Sequence, residues 1–162
     1  MRPPKTQLPE PGRSACLRVY ATAWPVTALG PGQRFVLWLA GCGRKCPGCI
    51  SPEMHPPDGG HDVPVDRLIT RIRRVPVHLD GLTVSGGEPL DQPWGLAAFL
   101  KRVHDELPDW SVIVFTGYTL QQILHDPIRR AAVFPGVDVL IDGPFCQTRP
   151  SPHPLKGSSN QR

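Results

Sequence analysis

Four short apolar runs, RFVLWLAG (34–41), GLTVSGG (81–87), SVIVFTG (111–117) and VDVLIDG (137–143), recur along this chain with more polar stretches between them. Runs of this length, bounded by turn residues, read as strands, and the nearly continuous RFVLWLAG suits one buried on both faces. The intervening stretches carry helical periodicity. Val65, Leu68, Ile69, Ile72 and Val75 fall near i, i+3, i+4 and i+7, with Asp62 and Pro64 as the start signal. Asp91 and Pro93 open a second helix with the stripe Leu96, Leu100, Val103 and Leu107, and Pro108 stops it. Thr119 and Gln122 fit a capping box for a third helix, which Pro127 breaks into two pieces. An earlier strand, CLRVYATAW (16–24), precedes a turn at TALGPGQR (27–34).

Strands alternating with amphipathic helices define an α/β fold of parallel βαβ units with right-handed crossovers. Four or five such strands are too few to close an eight-stranded barrel. An open, partial β/α barrel with mostly parallel strands is expected instead. Ligands in such folds sit beyond the carboxyl ends of the strands. That rim would collect the cysteine loop, SGGEP (85–89), FTGYT (115–119) and DGPF (142–145).

A chain of 162 residues, 40% of them hydrophobic, suits a single core. The expected division is a disordered, Pro-rich leader over 1–15 and one domain over 16–162. A net charge of +4, with no Lys/Arg run interleaved with aromatics, argues against a nucleic-acid partner. No apolar stretch approaches the ~18 residues of a membrane span. The opening MRPPKTQLPEPGRSA lacks the apolar region of a secretory signal. Five cysteines without such a signal point to a reducing compartment, the cytoplasm, where clustered thiols are metal ligands or redox groups.

Three of those cysteines, Cys42, Cys46 and Cys49, fall in AGCGRKCPGCISPE (40–53) with the spacing C-x3-C-x2-C. Cysteine thiolates hold iron–sulfur clusters, usually four to a cluster. Three would leave one iron open to a substrate, by the logic of a catalytic zinc site. Other readings of the loop are a zinc site completed by His55 or His61, and a thioredoxin-like redox pair at Cys46-Pro47-Gly48-Cys49. Cys16 and Cys146 stand alone and are read as small buried or incidental thiols.

The C-x3-C-x2-C loop after a core strand, together with SGGEP, resembles the radical S-adenosylmethionine (SAM) superfamily. GPGQR (30–34), CPGC (46–49), FTGYT, DVLIDGPF (138–145) and GSSNQR (157–162) occur in one order. That order resembles the small activating enzymes of anaerobic ribonucleoside-triphosphate reductase, from Cys16 to Arg162.

The resemblance implies a radical SAM domain and a specific site. Cys42, Cys46 and Cys49 would bind a 4Fe–4S cluster, and the amino-acid end of SAM would chelate the fourth iron. Gly86 and Gly87 would let backbone approach the methionyl group, while Glu88 would contact the ammonium or hold the loop. Gly48 and Ile50 would lie near the adenosyl group, with Thr116, Gly117 and Tyr118 on the same rim. Asp142 is open between a turn role and a catalytic one. Arg44 and Lys45 would favour the reduced cluster or dock an acidic electron donor such as a flavodoxin, or would simply face solvent. The implied function is reductive cleavage of SAM to install a glycyl radical on a large partner enzyme, anaerobic ribonucleotide reductase. Alternatives are another glycyl-radical enzyme, a peptide or small-molecule substrate, or a zinc-stabilised binding module without catalysis. The chain departs from the family pattern at Cys49, where Gly48 and Ile50 replace a flanking aromatic, and at His55, where such activases often carry tryptophan.

Overall fold

A computed structural model describes residues 15–162. The expected leader lies outside the described residues, apart from Ala15. β1 (Cys16–Val26) and β2 (Arg34–Leu39) form an antiparallel pair, and β3 (His61–Pro64) borders β1, also antiparallel. α1 (Val65–Arg73) follows β3 directly. The chain continues through β4 (Gly81–Gly86), α2 (Pro93–Glu106), β5 (Ser111–Phe115), α3 (Leu120–His125), α4 (Pro127–Val133) and β6 (Val139–Ile141). The six strands make one sheet in the order β3-β1-β2-β4-β5-β6, with β2, β4, β5 and β6 parallel. This is the expected open, mostly parallel α/β sheet.

The apolar runs explain the middle of the sheet. Phe35, Leu37, Leu39, Leu82, Val84, Val112 and Val114 are buried in the core, and Leu96, Phe99, Leu100 and Val103 bring α2 against it. Leu68, Ile69 and Ile72 do the same for α1. The capping box at Thr119 and Gln122 is present, and the break at Pro127 separates α3 from α4. Asp126 caps α4 by accepting from the backbone N–H of Ile128 and Arg129.

Several expectations are corrected. Asp62 does not cap α1: it lies in β3 and accepts from Arg18 Nε at 3.0 Å, while Pro64 ends β3 and stands at the N-cap position of α1 without a side-chain hydrogen bond. His61, a candidate zinc ligand, is a strand residue paired with Val19. Val75 and Leu107 fall just past the ends of their helices. Of the two readings of Cys16, buried or incidental, its exposure excludes the first.

Two features set the ends of the sheet. At the amino ends of the parallel strands, Arg34 is fully buried. Its Nε donates to Thr83 Oγ1 (2.6 Å), Nη1 to Ser111 Oγ (3.0 Å) and Pro31 O (3.2 Å), and Nη2 to Leu82 O (2.6 Å) and Ser111 O (2.7 Å). One guanidinium thus clamps β2, β4 and β5. At the carboxyl ends, the aperiodic tail folds back on the segment after β6. Asp142 and Arg162 exchange backbone hydrogen bonds of 2.9 and 3.0 Å. Gln161 donates to Gly143 O, Asn160 to Pro144 O, and the buried Ser158 accepts from Cys146 N. Among the described residues, no helix is long and apolar enough to cross a membrane.

Candidate active site

The carboxyl ends of β2, β4, β5 and β6 open on one cavity of ≈ 300 Å³. The four loops expected at this rim all reach it: Cys42, Cys46, Cys49 and Ile50 from the first, Ser85 to Glu88 from the second, Phe115 to Gly117 from the third, and Gly143 with Phe145 from the fourth. The topology produces this convergence, because parallel strands deliver every following loop to the same side.

The cysteine loop is pinned at its base. Gly41 N donates to Met54 O, Cys42 N to His55 O, and Cys49 N to Cys46 O in a turn. None of the three cysteines is in a disulfide and all are half-buried. Burial pushes the Cys42 thiol up; the backbone N–H groups of Arg44 and Lys45 pull the other way, and the Glu88 and Asp91 carboxylates add to the rise. Among the described residues no three His, Cys, Asp or Glu side chains are grouped to hold a metal ion. A zinc ion bound at ~2.3 Å would need its sulfurs within about 4 Å of one another. A four-iron cluster is a larger body and takes its thiolates further apart. The three uncrosslinked cysteines line one cavity, and thiolates are donors that both zinc and an iron–sulfur cluster take. Of the two histidines that could complete a zinc site, His61 lies off the cavity in β3, while His55 lines it. The thioredoxin-like reading fails on geometry, since Cys46-Pro47-Gly48-Cys49 forms a turn and not a helix N-terminus.

Glu88 is almost fully buried and saturated with donors. Its Oε1 accepts from Leu90 N (2.9 Å) and Thr116 Oγ1 (2.7 Å), and its Oε2 from Gly117 N (2.7 Å). Burial pushes this carboxyl up, against the downward pull of those three hydrogen bonds. The side chain ties the loop after β4 to the loop after β5, so its loop-holding role is visible. Thr116 reaches the site through Glu88. Tyr118, Asp91 and Arg129 form a second tie that sequence reasoning missed. Tyr118 Oη donates to Asp91 Oδ1 (2.7 Å) and accepts from Arg129 Nη2 (2.9 Å), while Gly43 N donates to Asp91 Oδ2 (3.1 Å). Burial, then the bond to Asp91, pushes the Tyr118 phenol up to about 12. The Arg44 guanidinium lies 4.7 Å from the Tyr118 ring centroid and also lines the cavity. Asp142 proves to be an anchor: its Oδ2 accepts from Leu120 N at the start of α3.

The glycines divide. A Cβ on Gly87 would lie 2.3 Å from Gly41 O, and one on Gly86 2.4 Å from Leu39 N. Both therefore serve backbone packing beneath the cysteine loop as well as lining the cavity. Gly48, expected near the adenosyl group, does not line the cavity. It has φ +70°, and a Cβ there would strike Gln147 Oε1 at 2.3 Å. Ile50 stands at the mouth, 84% exposed. The tail contributes a wall that no periodicity announced: Leu155, Lys156, Gly157 and Gln161 line the cavity beside Phe145. The motifs DGPF and GSSNQR carried that information only as a resemblance.

Valine at Gly87 should lower iron incorporation and SAM affinity together, because its side chain would push the Gly41 carbonyl and the base of the cysteine loop. Iron content and equilibrium dialysis with labelled SAM check this. Lost SAM binding with full iron content would return Gly87 to the ligand alone.

The fold and the thiol-lined cavity describe a small iron–sulfur protein, and a family model for the 4Fe–4S single cluster domain matches residues 28–162. The anaerobic ribonucleoside-triphosphate reductase-activating protein of Vibrio cholerae is 35% identical over 150 residues, covering 88% of this chain and 94% of the relative. That of Pasteurella multocida is 36% identical over 141 residues, covering 82% and 87%. That of bacteriophage T4 is 29% identical over 138 residues, covering 82% and 84%. The crystal structure of QueE from Escherichia coli shares the fold at a TM-score of 0.55 and 16% identity, over 64% of this chain and 54% of QueE. The chain belongs to the family of anaerobic ribonucleoside-triphosphate reductase-activating proteins.

Proposed function

We propose that this chain is a radical SAM activating enzyme that cleaves SAM reductively and installs a glycyl radical on anaerobic ribonucleoside-triphosphate reductase. The observation that carries the reading is the meeting of Cys42, Cys46 and Cys49 with the loops after β4, β5 and β6 around one cavity. When bound, a 4Fe–4S cluster and SAM supply an electron and a 5′-deoxyadenosyl radical that can take a hydrogen atom. The three thiols are the chain's own ligands for the cluster, and no fourth cysteine lines the cavity.

The remaining residues position and enclose. Gly86 and Gly87 keep the floor low at the amino-acid end of SAM. Glu88 and Thr116 hold the facing loops at a constant separation through their mutual hydrogen bond. Ile50, Phe145 and Leu155, with Leu29, Phe115 and Pro154, form the apolar share of the wall, and Phe145 offers the adenine an aromatic in place of the one missing beside Cys49. The exposed Lys45 and the Arg44 guanidinium offer positive charge beside the cluster for an acidic donor such as a flavodoxin. One sheet and one apolar core support a single radical SAM domain over 16–162. Free thiols and an electron-rich cluster suit the cytoplasm.

Anaerobic incubation with SAM and a reductant, with and without the large reductase of the same organism, tests the reading. The expected products are 5′-deoxyadenosine and, with the reductase present, a glycyl radical seen by electron paramagnetic resonance. 5′-Deoxyadenosine without a radical on the reductase would move the target to another protein or a small molecule. A colourless protein that binds stoichiometric zinc and forms no 5′-deoxyadenosine would end the radical reading.

A further inference from the structure

A second concave site lies on the far side of the sheet's antiparallel edge, between α1 and the outer strands. This groove of ≈ 520 Å³ shares no lining residue with the thiol cavity. Arg67, Arg71 and Arg74 form one wall, and Thr22 and Trp24 of β1 lie opposite. The arginines are spaced i, i+4, i+7, so they stand in one row spanning about 10 Å of helix axis.

Most other arginines near the helices are neutralised. Arg18 faces Asp62, Arg73 faces Glu106, Arg102 faces Asp66, and Arg129 faces Asp126. Among the described residues, Arg67, Arg71 and Arg74 make no ion pair with any carboxylate. Like charges three and four residues apart repel one another along a helix. The groove therefore gathers positive charge that no carboxylate neutralises among the described residues.

The rest of the wall is organised. Trp24 stacks on Phe35 with ring centroids 5.4 Å apart, and the Arg71 guanidinium sits 5.2 Å from the Trp24 ring centroid. The indole thus orders one arginine head towards the groove. Thr22 Oγ1 is buried there without a hydrogen-bond partner. Val19, Val63 and Leu68 back the site with apolar surface, which lowers the local dielectric and strengthens charge pairing.

We propose that this groove binds a di- or triphosphate group, free or carried on a nucleoside, through the Arg67, Arg71 and Arg74 guanidinium groups. Guanidinium forks match phosphate oxygens in pairs, and a row of three matches a chain of phosphates. The recess has the volume of a small-molecule site, whereas an acidic protein face would dock on a flat or convex surface. The inference is independent of the radical chemistry.

Isothermal titration of the full chain with tripolyphosphate, ATP and adenosine, at about 0.15 M salt, decides it. Tripolyphosphate or ATP should bind, and Arg71→Gln or the pair Arg67→Gln/Arg74→Gln should weaken binding by roughly tenfold or more. Arg130→Gln, an exposed arginine on α4, should leave it unchanged. Tighter binding of ATP than of tripolyphosphate would identify a nucleoside phosphate, and equal binding a bare phosphate chain; both uphold the site. The proposal is overturned if neither phosphate binds, or if Arg130→Gln weakens binding as much as Arg71→Gln. It is equally overturned if adenosine binds as well as ATP and the arginine variants change nothing, since ATP would then occupy the adenosyl cavity. Reductive SAM cleavage should persist in all these variants, so loss of phosphate binding and loss of the radical activity are separable.

Discussion

Alanine at any one of Cys42, Cys46 or Cys49 should abolish SAM cleavage and strip most of the iron from the protein. Each thiol is one of the three cysteines that line the cavity. Two thiolates leave two irons of a four-iron cluster without protein ligands, and the cluster then dissociates or converts. The fold itself should survive. The loop is held by main-chain bonds from Gly41, Cys42 and Cys49, none of which uses a sulfur. The thiols are half-buried, so removing one sulfur should change the stability of the apoprotein by about 1 kcal/mol or less. The measurements are iron content, visible absorption after anaerobic reconstitution, and 5′-deoxyadenosine formed per protein. Cys16→Ala and Cys146→Ala serve as controls, since neither residue lines the cavity, and both should keep iron and turnover. Cleavage at the wild-type rate in any one of the three variants would remove that cysteine from the ligand set.

Methionine in place of Arg34 should destabilise the apoprotein by ~3–5 kcal/mol. Methionine fills much of the same volume, so the loss is one of hydrogen bonds and not of packing. Thr83 and Ser111 can partly recover, because Thr83 Oγ1 already donates to Leu29 O and Ser111 Oγ to Asp80 O. The Leu82 and Ser111 carbonyls lose their guanidinium donor in the interior, at ~1–3 kcal/mol each. Arg34 makes no hydrogen bond to a carboxylate. Burial lowers its pKa, and the more distant Asp80 and Asp138 carboxylates oppose that. A domain of ordinary stability, ~5–15 kcal/mol, would be left near its threshold. Urea denaturation should show a lower midpoint at an unchanged slope. Arg34 lies at the end of the sheet opposite the cavity, so the folded fraction should still bind SAM with wild-type affinity. An unchanged midpoint would show that the clamp contributes nothing net.

What was legible in the chain was local. The apolar runs of β2, β4 and β5 are long enough to declare themselves, as are the stripes of α1 and α2. The capping box at Thr119 and the break at Pro127 are short-range chemistry and were visible for that reason. β3 was not. Its four residues, HDVP, are half exposed and show no alternation, and they become a strand only by pairing with Leu17 and its neighbours on β1. Asp62, which resembles a helix cap in sequence, is drawn instead to Arg18, 44 residues away. The site divides along the same line. Its cysteine spacing and the Gly-Gly-Glu segment could be quoted from the chain. The loop-holding role of Glu88 could not be read until Thr116 and Gly117 were seen to donate to it.

The order of the four parallel strands and their helices, and hence the rim on which the loops gather, follows from the sequence by itself, because periodicity and turn chemistry act over a few residues. The tertiary structure alone decided that the aperiodic tail walls the cavity, that Tyr118 ties Asp91 to Arg129, and that Arg67 and Arg71 of α1, with Arg74 at its C-cap, share a groove with β1. These are meetings between residues far apart in the chain. They depend on which strands are neighbours and on which face each helix packs, and no local pattern encodes either.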